Sequence, residues 1–384
     1  MRITRIRLLN WRNFHEVDVR TGDRVFLVGA NASGKSNFLD ALRFLADIAV
    51  PGGGLATASE QRGGLSKIRC LAARRNPNVG IEVDMQMPGG DSWSYRLEFG
   101  QEQRGHRQVR VRKEIIEHDG KVIVQRPDGD DAKDPVRLSQ TLLEQVLANH
   151  KFRIVVSALQ SISYLHLVPQ VVRGARELVV RGSSFQAYGH DFLERVATGP
   201  ERTTQARLRR IGQVLQTVVP QLAELKLVTD DRGSPHLQAN YKHWRAKDAY
   251  QTEDQFSDGT LRLIGLLWAL QDGSGPLLME EPELSLHDGI VRRIPSLMHR
   301  IHRVHKRASR QVFISTHSMA LLSDEGIGAD EVLTLAPATE GTNVVSGVDI
   351  PEIRALMDAG LPAGDAVIPY VEPPTAHQLV ISFK

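Results

Sequence analysis

The spacing of apolar and polar residues predicts strands at the start of the chain and a helix soon after them. Apolar and polar side chains alternate over residues 3–20, a pattern typical of two strands around a turn. Val25–Val28 is a short apolar run that predicts a third, buried strand. Phe38, Leu42 and Leu45 then recur at helical spacing. The chain therefore begins as strands and passes into a helix.

The middle of the chain has the pattern of an antiparallel β-structure. Short alternating runs between residues 80 and 124 are separated by glycine-rich and proline-containing turns, so we predict a β-lobe inserted at about 60–130. Helical spacing returns over residues 200–225, within a helical insertion expected at about 174–225. The last third alternates apolar strands with helices, as an α/β core does, and a less regular extension follows over 336–384.

Composition limits the classes of protein to which the chain can belong. Apolar residues make up 41% and charged residues 24% of the 384 residues, so the chain can form one large globular domain or two domains. The single cysteine excludes an internal disulfide framework, and we expect a cytoplasmic location. No apolar run approaches the ~20 residues of a membrane span, so we expect no membrane partner. The net charge of +3 is compatible with nucleic-acid binding.

The segment between the third strand and the first helix has the pattern of a phosphate-binding loop. Gly29 and Gly34-Lys35-Ser36 match G-x-x-x-x-G-K-[ST] in the strand-to-helix context that this motif requires. The two glycines let successive backbone N–H groups turn toward an anion, and the start of the helix adds positive potential. We expect Lys35 to reach the β- and γ-phosphates and the Ser36 hydroxyl to ligate Mg²⁺.

A pair of carboxylates follows an apolar strand in the last third of the chain. The apolar residues of Pro276–Met279 predict the strand, and Glu280 and Glu281 come at its end. A parallel strand beside the phosphate-loop strand would place both carboxylates at its carboxyl end, facing the nucleotide. We assign Mg²⁺ or its bound water to Glu280 and the attacking water to Glu281. The alternative is a solvated acidic turn after a core strand.

Two further segments become candidates for nucleotide contact because the phosphate loop and the two carboxylates are present. His317 follows the predicted strand Gln311–Ser315, and its imidazole is suited to hydrogen-bond a γ-phosphate oxygen, although a histidine at a strand end is often structural. Ser257 precedes a predicted helix over Thr260–Leu270 and is a good N-cap. The alternative for Ser257 is that it and the free N–H groups bind the γ-phosphate of a nucleotide held by another subunit.

Together and in this order, the segments resemble the ABC-type ATPase heads of the RecF, SMC and OLD-like proteins, and among them the bacterial stand-alone "AAA family" ATPases. The resemblance covers about residues 1–335. It implies an α/β fold of the P-loop NTPase class, with a RecA-like core, an antiparallel β-lobe and a helical insertion. The segments that carry it are Asn10–Phe14, Gly29–Asn37, Ser257–Arg262, Glu280–His287 and Ser315–Ser318.

The resemblance also implies the ligands and the site. ATP and Mg²⁺ would be the cofactors, and two heads would pair head-to-tail around ATP, each phosphate loop facing the partner's Ser257–Arg262. The residues implied to be catalytic are Lys35, Glu281 and His317. The metal residues would be Ser36, Glu280 and Gln170, with Gln160 as an alternative to Gln170. The residues implied to contact the nucleotide are Gly29, Asn31, Ala32, Ser33, Gly34, Lys35, Ser36, Asn37, Arg12, Ser257 and Gly259.

Several features depart from the family pattern. Glu280 stands where the metal carboxylate is usually aspartate, and the signature is Ser-Asp-Gly-Thr rather than Ser-Gly-Gly-Gln. The sequence has no heptad array for a long coiled coil, which disfavours a cohesin-like ring. The residues after Leu335 have no acidic triad of the kind a fused Toprim nuclease needs, so a nuclease effector would be a separate protein.

These features leave three functions open. The first is an ATPase that forms a homodimer or a higher even oligomer and acts on double-stranded DNA, or gates a nucleic-acid effector, in repair or anti-phage defence. The basic stretches Arg104–Lys113 and His299–Arg310 favour it, although a solvated helix face explains the second equally well. The others are a slow ATP-dependent switch that assembles a partner protein, and the ATPase subunit of a transporter, which the motifs disfavour. The extension over 336–384 is a possible partner-docking segment.

Overall fold

The structure is a computed structural model that describes residues 1–74, 76–102, 108–174, 189–242, 250–304 and 310–372. Contacts divide the chain into two compact units, which we describe separately. The first comprises residues 1–163, 274–278 and 305–384, and the second comprises residues 164–273 and 279–304.

The strands are β1 (Arg2–Trp11), β2 (Phe14–Arg20), β3 (Arg24–Val28), β4 (Val79–Gln86), β5 (Ser92–Gln101), β6 (Val109–His118), β7 (Lys121–Arg126), β8 (Ser163–Leu165), β9 (Leu222–Thr229), β10 (Pro235–Tyr241), β11 (Tyr250–Thr252), β12 (Leu277–Glu280), β13 (Val312–Thr316), β14 (Val332–Ala338) and β15 (Gly341–Ser346). The helices are α1 (Lys35–Ala49), α2 (Leu55–Glu60), α3 (Leu65–Ile68), α4 (Gly129–Lys133), α5 (Arg153–Gln160), α6 (Pro169–Arg173), α7 (Phe192–Thr198), α8 (Glu201–Val218), α9 (Asp258–Gln271), α10 (Asp288–Val291), α11 (Ile294–Val304), α12 (Pro351–Asp358) and α13 (Ala363–Val371).

The lobe of the first unit is an antiparallel six-stranded sheet in the order β2-β1-β4-β5-β6-β7. The predicted lobe strands are confirmed by β4 to β7, and in β4 and β5 alternate side chains such as Tyr95 and Leu97 are buried. The two N-terminal strands were also predicted, but their place in this sheet was not. Because β1 pairs with both β2 and β4, the sheet joins the start of the chain to a segment about 75 residues later.

A second six-stranded sheet has the order β15-β14-β3-β13-β12-β8. Strand β3 lies between β13 and β14 and is parallel to both, which explains why Val25–Val28 is entirely buried. Strand β12 begins in the first unit, and its last residues, Met279 and Glu280, belong to the second unit. The predicted strands Val25–Val28, Pro276–Met279 and Gln311–Ser315 are therefore confirmed, although five of their six ends differ by one residue from the observed bounds.

Helix α1 packs on the lobe sheet through aromatic contacts within the first unit. The rings of Phe44 and Phe99 stack with centroids 5.2 Å apart, and the Trp11 ring lies 5.2 Å from that of Phe44. The indole N–H of Trp11 donates to the Asn37 carbonyl oxygen at 2.7 Å. Buried aromatic pairs of this kind add about 0.5–1.5 kcal/mol beyond their burial. The orientation of α1 is thus fixed by two strands of the lobe sheet, β1 and β5.

In the second unit, helix α8 packs on a three-stranded sheet with the order β11-β10-β9. The helix predicted over residues 200–225 is confirmed over Glu201–Val218, where Leu208, Ile211 and Leu215 are buried. Its expected last residues, 222–225, form the start of β9 instead. Residues 175–188 of the expected helical insertion lie outside the described residues. Within the described ranges, none of the helices combines the length and the run of apolar residues that crossing a bilayer requires.

The expected boundary between residues 335 and 336 falls inside β14. Strand β15 pairs with β14, and α13 contacts β14 and β3, so residues up to 371 pack on the core sheet of the first unit. A role in partner docking for residues 336–384 stays a prediction.

Candidate nucleotide-binding site

The phosphate loop connects β3 to α1 and depends on its two glycines. Gly34 has a φ of 103°, in the left-handed region, and a Cβ there would lie 2.2 Å from the Asn13 Nδ2 atom. A Cβ on Gly29 would lie 2.5 Å from the Leu335 carbonyl oxygen. Gly34 is therefore required by its backbone conformation, and Gly29 by the close approach of the Leu335 carbonyl oxygen.

The side chains of the loop divide into a buried set and an exposed set. Lys35 is buried, and its ammonium group donates to the carbonyl oxygens of Gly29 at 2.8 Å and Ala30 at 3.1 Å. Ser33 is fully buried, and its hydroxyl has no hydrogen-bond partner among the described residues. In contrast, the predicted nucleotide residues Asn31, Ala32 and Ser36 are exposed. The ammonium thus lies across the loop, and Ser36 is the exposed residue of the first turn of α1.

The Asn13 side chain fastens the loop to the rest of the first unit. Its amide nitrogen donates to the Ser33 carbonyl oxygen at 3.0 Å and to the Thr342 hydroxyl at 2.7 Å. Its amide oxygen accepts from the Asn37 side chain at 2.7 Å. One amide therefore connects the loop, helix α1 and strand β15, and Asn37 acts here as a second support of the loop.

Arg12 was predicted to contact the nucleotide, and in the structure its guanidinium lies against a carboxylate. Its guanidinium lies 2.6 Å from Asp40, and that of Arg62 lies 2.8 Å from the same carboxylate. Burial raises the pKa of Asp40, but the charges and hydrogen bonds of Arg62 and Arg12 outweigh it, so the pKa lies below its ordinary value. A nucleotide contact for Arg12 stays a prediction.

His317 leaves the core sheet at the level where the phosphate loop begins. Thr316, the last residue of β13, is the register partner of Val28, the last residue of β3. Because the two strands are parallel and adjacent, His317 and Gly29 both follow paired residues at the same edge of the sheet. The structure therefore brings these two predicted residues together.

In the second unit, the Glu280 carboxylate ends β12 and has neighbours that were not predicted. The Tyr164 hydroxyl donates to it, and the His166 Nδ1 atom lies 3.7 Å away. Tyr164 and His166 are two residues apart, as expected for two side chains on one face of an extended segment. This spacing in the sequence predicts that the Tyr164 and His166 side chains share one face. It does not identify Glu280 as the carboxylate beside them.

Glu281 has a φ of 42°, in the left-handed region that non-glycine residues rarely adopt. Such a conformation costs about 1–3 kcal/mol and is common at functional sites. The Arg262 guanidinium on α9 is close enough for Glu281 and Glu283 to act on its charge, although burial lowers its pKa overall. Arg262 thus links the start of α9 to the acidic segment Glu280–Glu283. This link was not predicted from the sequence.

The signature segment opens α9. The exposed Ser257 is the N-cap, and its hydroxyl accepts from the Thr260 backbone N–H at 3.2 Å, which confirms the capping interpretation. A Cβ on Gly259 would lie 2.8 Å from the Ser285 carbonyl oxygen, so the helix can approach the segment after Glu281 only with glycine at this position. Ligand binding by Ser257 and Gly259 stays a prediction.

The two glutamines considered as metal ligands have other partners. The Gln170 amide donates to the Asp258 carboxylate at 2.9 Å, and that of Gln160 donates to the Ala49 carbonyl oxygen at 2.6 Å. The structure therefore places Gln170 at the start of α9 and Gln160 at the end of α1. Magnesium binding by Gln170 stays a prediction, and no described contact supports it.

The donor set of the phosphate loop fits ATP and Mg²⁺. A glycine loop that a Cβ would fill, a buried ammonium group and a helix N-terminus are the groups that bind a triphosphate in P-loop proteins. The Ser36 hydroxyl and the Glu280 carboxylate are oxygen ligands of the kind that Mg²⁺ prefers. Lys35, Ser36 and the loop backbone would hold the phosphates, and the Ser36 hydroxyl would be a ligand of the metal.

We predict that Asn13→Ala raises the Kd for ATP about tenfold, because it removes three hydrogen bonds that fix the loop, and 1.4 kcal/mol is a factor of ten. Isothermal titration calorimetry with a non-hydrolysable ATP analogue measures this change. The control is Asn343→Ala, since Asn343 is an exposed residue of β15 beside Thr342. Wild-type affinity in a correctly folded Asn13→Ala variant would show that the loop does not need this support.

We also predict that Tyr164→Phe raises the Mg²⁺ concentration required for half-maximal ATP hydrolysis about tenfold, because an orienting hydrogen bond to a metal carboxylate is lost. The ring is kept, so packing should change little. Tyr250→Phe is the control, because that exposed tyrosine lies under Lys226 in β9 and should not affect the metal. An unchanged Mg²⁺ dependence in Tyr164→Phe would contradict the metal role of Glu280.

Comparisons with solved structures show the fold. The SMC head bound to the winged-helix domain of ScpA matches with a TM-score of 0.55 and 14% identity, over 90% of this chain and 98% of that chain. An Smc head with an extended coiled coil, bound to the C-terminal domain of ScpA from Pyrococcus furiosus, matches with a TM-score of 0.51 and 13% identity, over 93% and 99% of the two chains. The predicted P-loop ATPase fold of an ABC-type head is therefore confirmed.

No curated protein was found to match the sequence. A family model described as "AAA domain, putative AbiEii toxin, Type IV TA system" matches residues 24–323, well over half of the chain, from the phosphate-loop strand to just beyond His317. The chain therefore belongs to this family of AAA domains, and its fold is that of the ABC-type heads related to SMC.

Proposed function

We propose that the protein binds and hydrolyses ATP with Mg²⁺, and that two copies pair head-to-tail around the nucleotide. The observation that carries the proposal is the phosphate loop, in which two irreplaceable glycines surround a buried lysine ammonium group. A loop of this form has few uses other than holding phosphates. The family of AAA domains to which the chain belongs supports the same activity.

The proposed roles follow from the chemistry of each side chain. Lys35 binds the β- and γ-phosphates, and Ser36 and Glu280 ligate the metal, with Tyr164 orienting the Glu280 carboxylate. ATP with Mg²⁺ supplies the reactive γ-phosphate and neutralises part of its charge. Glu281 orients the attacking water and accepts its proton, and His317 donates a hydrogen bond to the γ-phosphate.

The second copy would contribute the start of α9. The first N–H groups of this 14-residue helix and the exposed Ser257 form an anion-binding end. Asp258 would oppose a phosphate there, but Arg173 lies 2.7 Å from its carboxylate and Gln170 donates to it. Because the negative charge is compensated, the positive potential of the helix end is available to a γ-phosphate held by the partner.

We further propose that nucleotide-driven pairing acts on duplex DNA or gates a separate nucleic-acid effector, such as a nuclease, in repair or defence. The family description and the solved SMC heads bound to ScpA support a protein partner. Direct DNA contact has less support. Residues 103–107 and 305–309 of the two basic stretches lie outside the described residues, and Arg110 is paired with Glu102 at 2.9 Å.

A second candidate function is a slow ATP-dependent switch that assembles its partner and turns over rarely. The observation that favours it is Glu280, which is one methylene longer than the aspartate usual at this position and is engaged by the Tyr164 hydroxyl. Slow hydrolysis together with normal ATP-dependent pairing would distinguish this switch from an efficient ATPase.

The test measures ATP binding and hydrolysis with and without duplex DNA, at two salt concentrations. Lys35→Ala should lose ATP binding, whereas Ser257→Arg should bind ATP as a monomer but hydrolyse it at least about 100-fold more slowly. Ser274→Arg is the matched control, since Ser274 is an exposed serine beyond the end of α9. Normal turnover in Ser257→Arg would contradict the composite site.

The same measurements test DNA contact. Stimulation of hydrolysis by duplex DNA that disappears at the higher salt concentration would support direct DNA contact, and no stimulation by DNA would favour a protein effector.

A further inference from the structure

The second unit contains a groove that the proposed ATP chemistry does not use. Helix α8 forms one wall, the segment from His287 through α10 to Arg300 forms the other, and α9 contributes to the floor. The volume of this cavity is about 940 Å³. We call it the basic groove, and all of its lining residues belong to the second unit.

The floor of the basic groove is apolar. Valine, leucine and isoleucine side chains from the four helices α8, α9, α10 and α11 converge there, and several remain partly exposed. These side chains are Val214, Val218, Leu263, Ile290, Ile294 and Leu297. A floor of this kind loses solvent-exposed apolar area when an apolar side chain covers it, which is worth about 25 cal/mol per Å².

The rim of the groove is positively charged. Arg210, Arg293 and Arg300 are exposed and line it together with His287, and no aspartate or glutamate lies among its lining residues. None of the three arginines makes an ion pair within the described part of the chain. The nearby Arg207 is different, because it pairs with Asp272 at 2.8 Å and does not line the groove. The arginine charges at the rim are therefore available to an external ligand.

We propose that the basic groove binds an acidic amphipathic helix of a partner protein. Such a helix would place apolar residues on the floor and its carboxylates against the arginines on both walls. On α8 the lining runs from Arg210 to Val218, about 12 Å, which matches just over two turns of a bound helix. Nucleic acid would use the cations but would leave the apolar floor uncovered, so a protein ligand fits both features.

This inference goes beyond the proposed function, because binding in the groove requires no nucleotide. The groove is nevertheless close in sequence to the two carboxylates Glu280 and Glu281. His287 and Gly289 line it, and they follow Glu281 by only a few residues, through the segment whose Ser285 carbonyl oxygen contacts Gly259. A helix bound in the groove would therefore lie against the chain that connects Glu281 to α10.

The test uses a fluorescein-labelled designed peptide that has leucines at helical spacing and glutamates at the remaining positions, in a fluorescence anisotropy titration. A peptide with the same leucines and lysines in place of the glutamates is the reference. We expect the acidic peptide to bind at least about tenfold more tightly than the basic one, and its affinity to fall at high salt. The double variant Arg293→Glu, Arg300→Glu should weaken its binding at least about tenfold.

Two control variants make the result specific. Arg209→Glu changes an exposed arginine next to Arg210 that does not line the groove, and it should leave the affinity within about twofold. Lys35→Ala should bind the peptide as wild type does, so failure of the ATPase proposal would not affect this measurement. Equal affinity for the two peptides, no effect of the double variant, or displacement of the acidic peptide by duplex DNA at low concentration would overturn the inference.

Discussion

Parallel pairing of β3 with β13 and β14 is the constraint on which the phosphate loop depends. This pairing buries Val25–Val28 completely and fixes Val28 opposite Thr316 and Thr334, so the connections after β3 and β13 leave the sheet at one level. The loop then has to turn immediately into α1, which requires a left-handed Gly34. Asn13 completes the arrangement, because its amide binds the loop, helix α1 and strand β15 at once.

Much of this fold was predictable because local periodicity and turn chemistry determine it. The strands of the lobe, the face of α8 and the phosphate loop each carry their signal within a few consecutive residues. The support for the loop carries no such signal, since Asn13 and Thr342 are 329 residues apart. The same limit applies to Tyr164, because its pairing with Glu280 depends on how distant segments pack together. Gln170 was assigned to the metal by family pattern alone, and its contact is with Asp258.

The second unit connects its functional segments through close contacts. Gly259 packs against the Ser285 carbonyl oxygen, Arg262 faces Glu281 and Glu283, and Asp258 is held by Arg173. The start of α9 and the acidic segment are therefore in direct contact, so a displacement of one would displace the other. The basic groove lies along the continuation of the same acidic segment. A partner protein bound there would contact the part of the chain through which hydrolysis could be regulated.

The central claim is that two copies complete each other's hydrolytic sites, and mixing two inactive variants tests it most directly. Lys35→Ala lacks a working phosphate loop, and Ser257→Arg lacks a working signature. In an equal mixture, half of the dimers are mixed, and each of these has one complete site. The account predicts that the mixture recovers about a quarter of the wild-type ATPase activity per protomer. A mixture no more active than the two variants measured separately would contradict it.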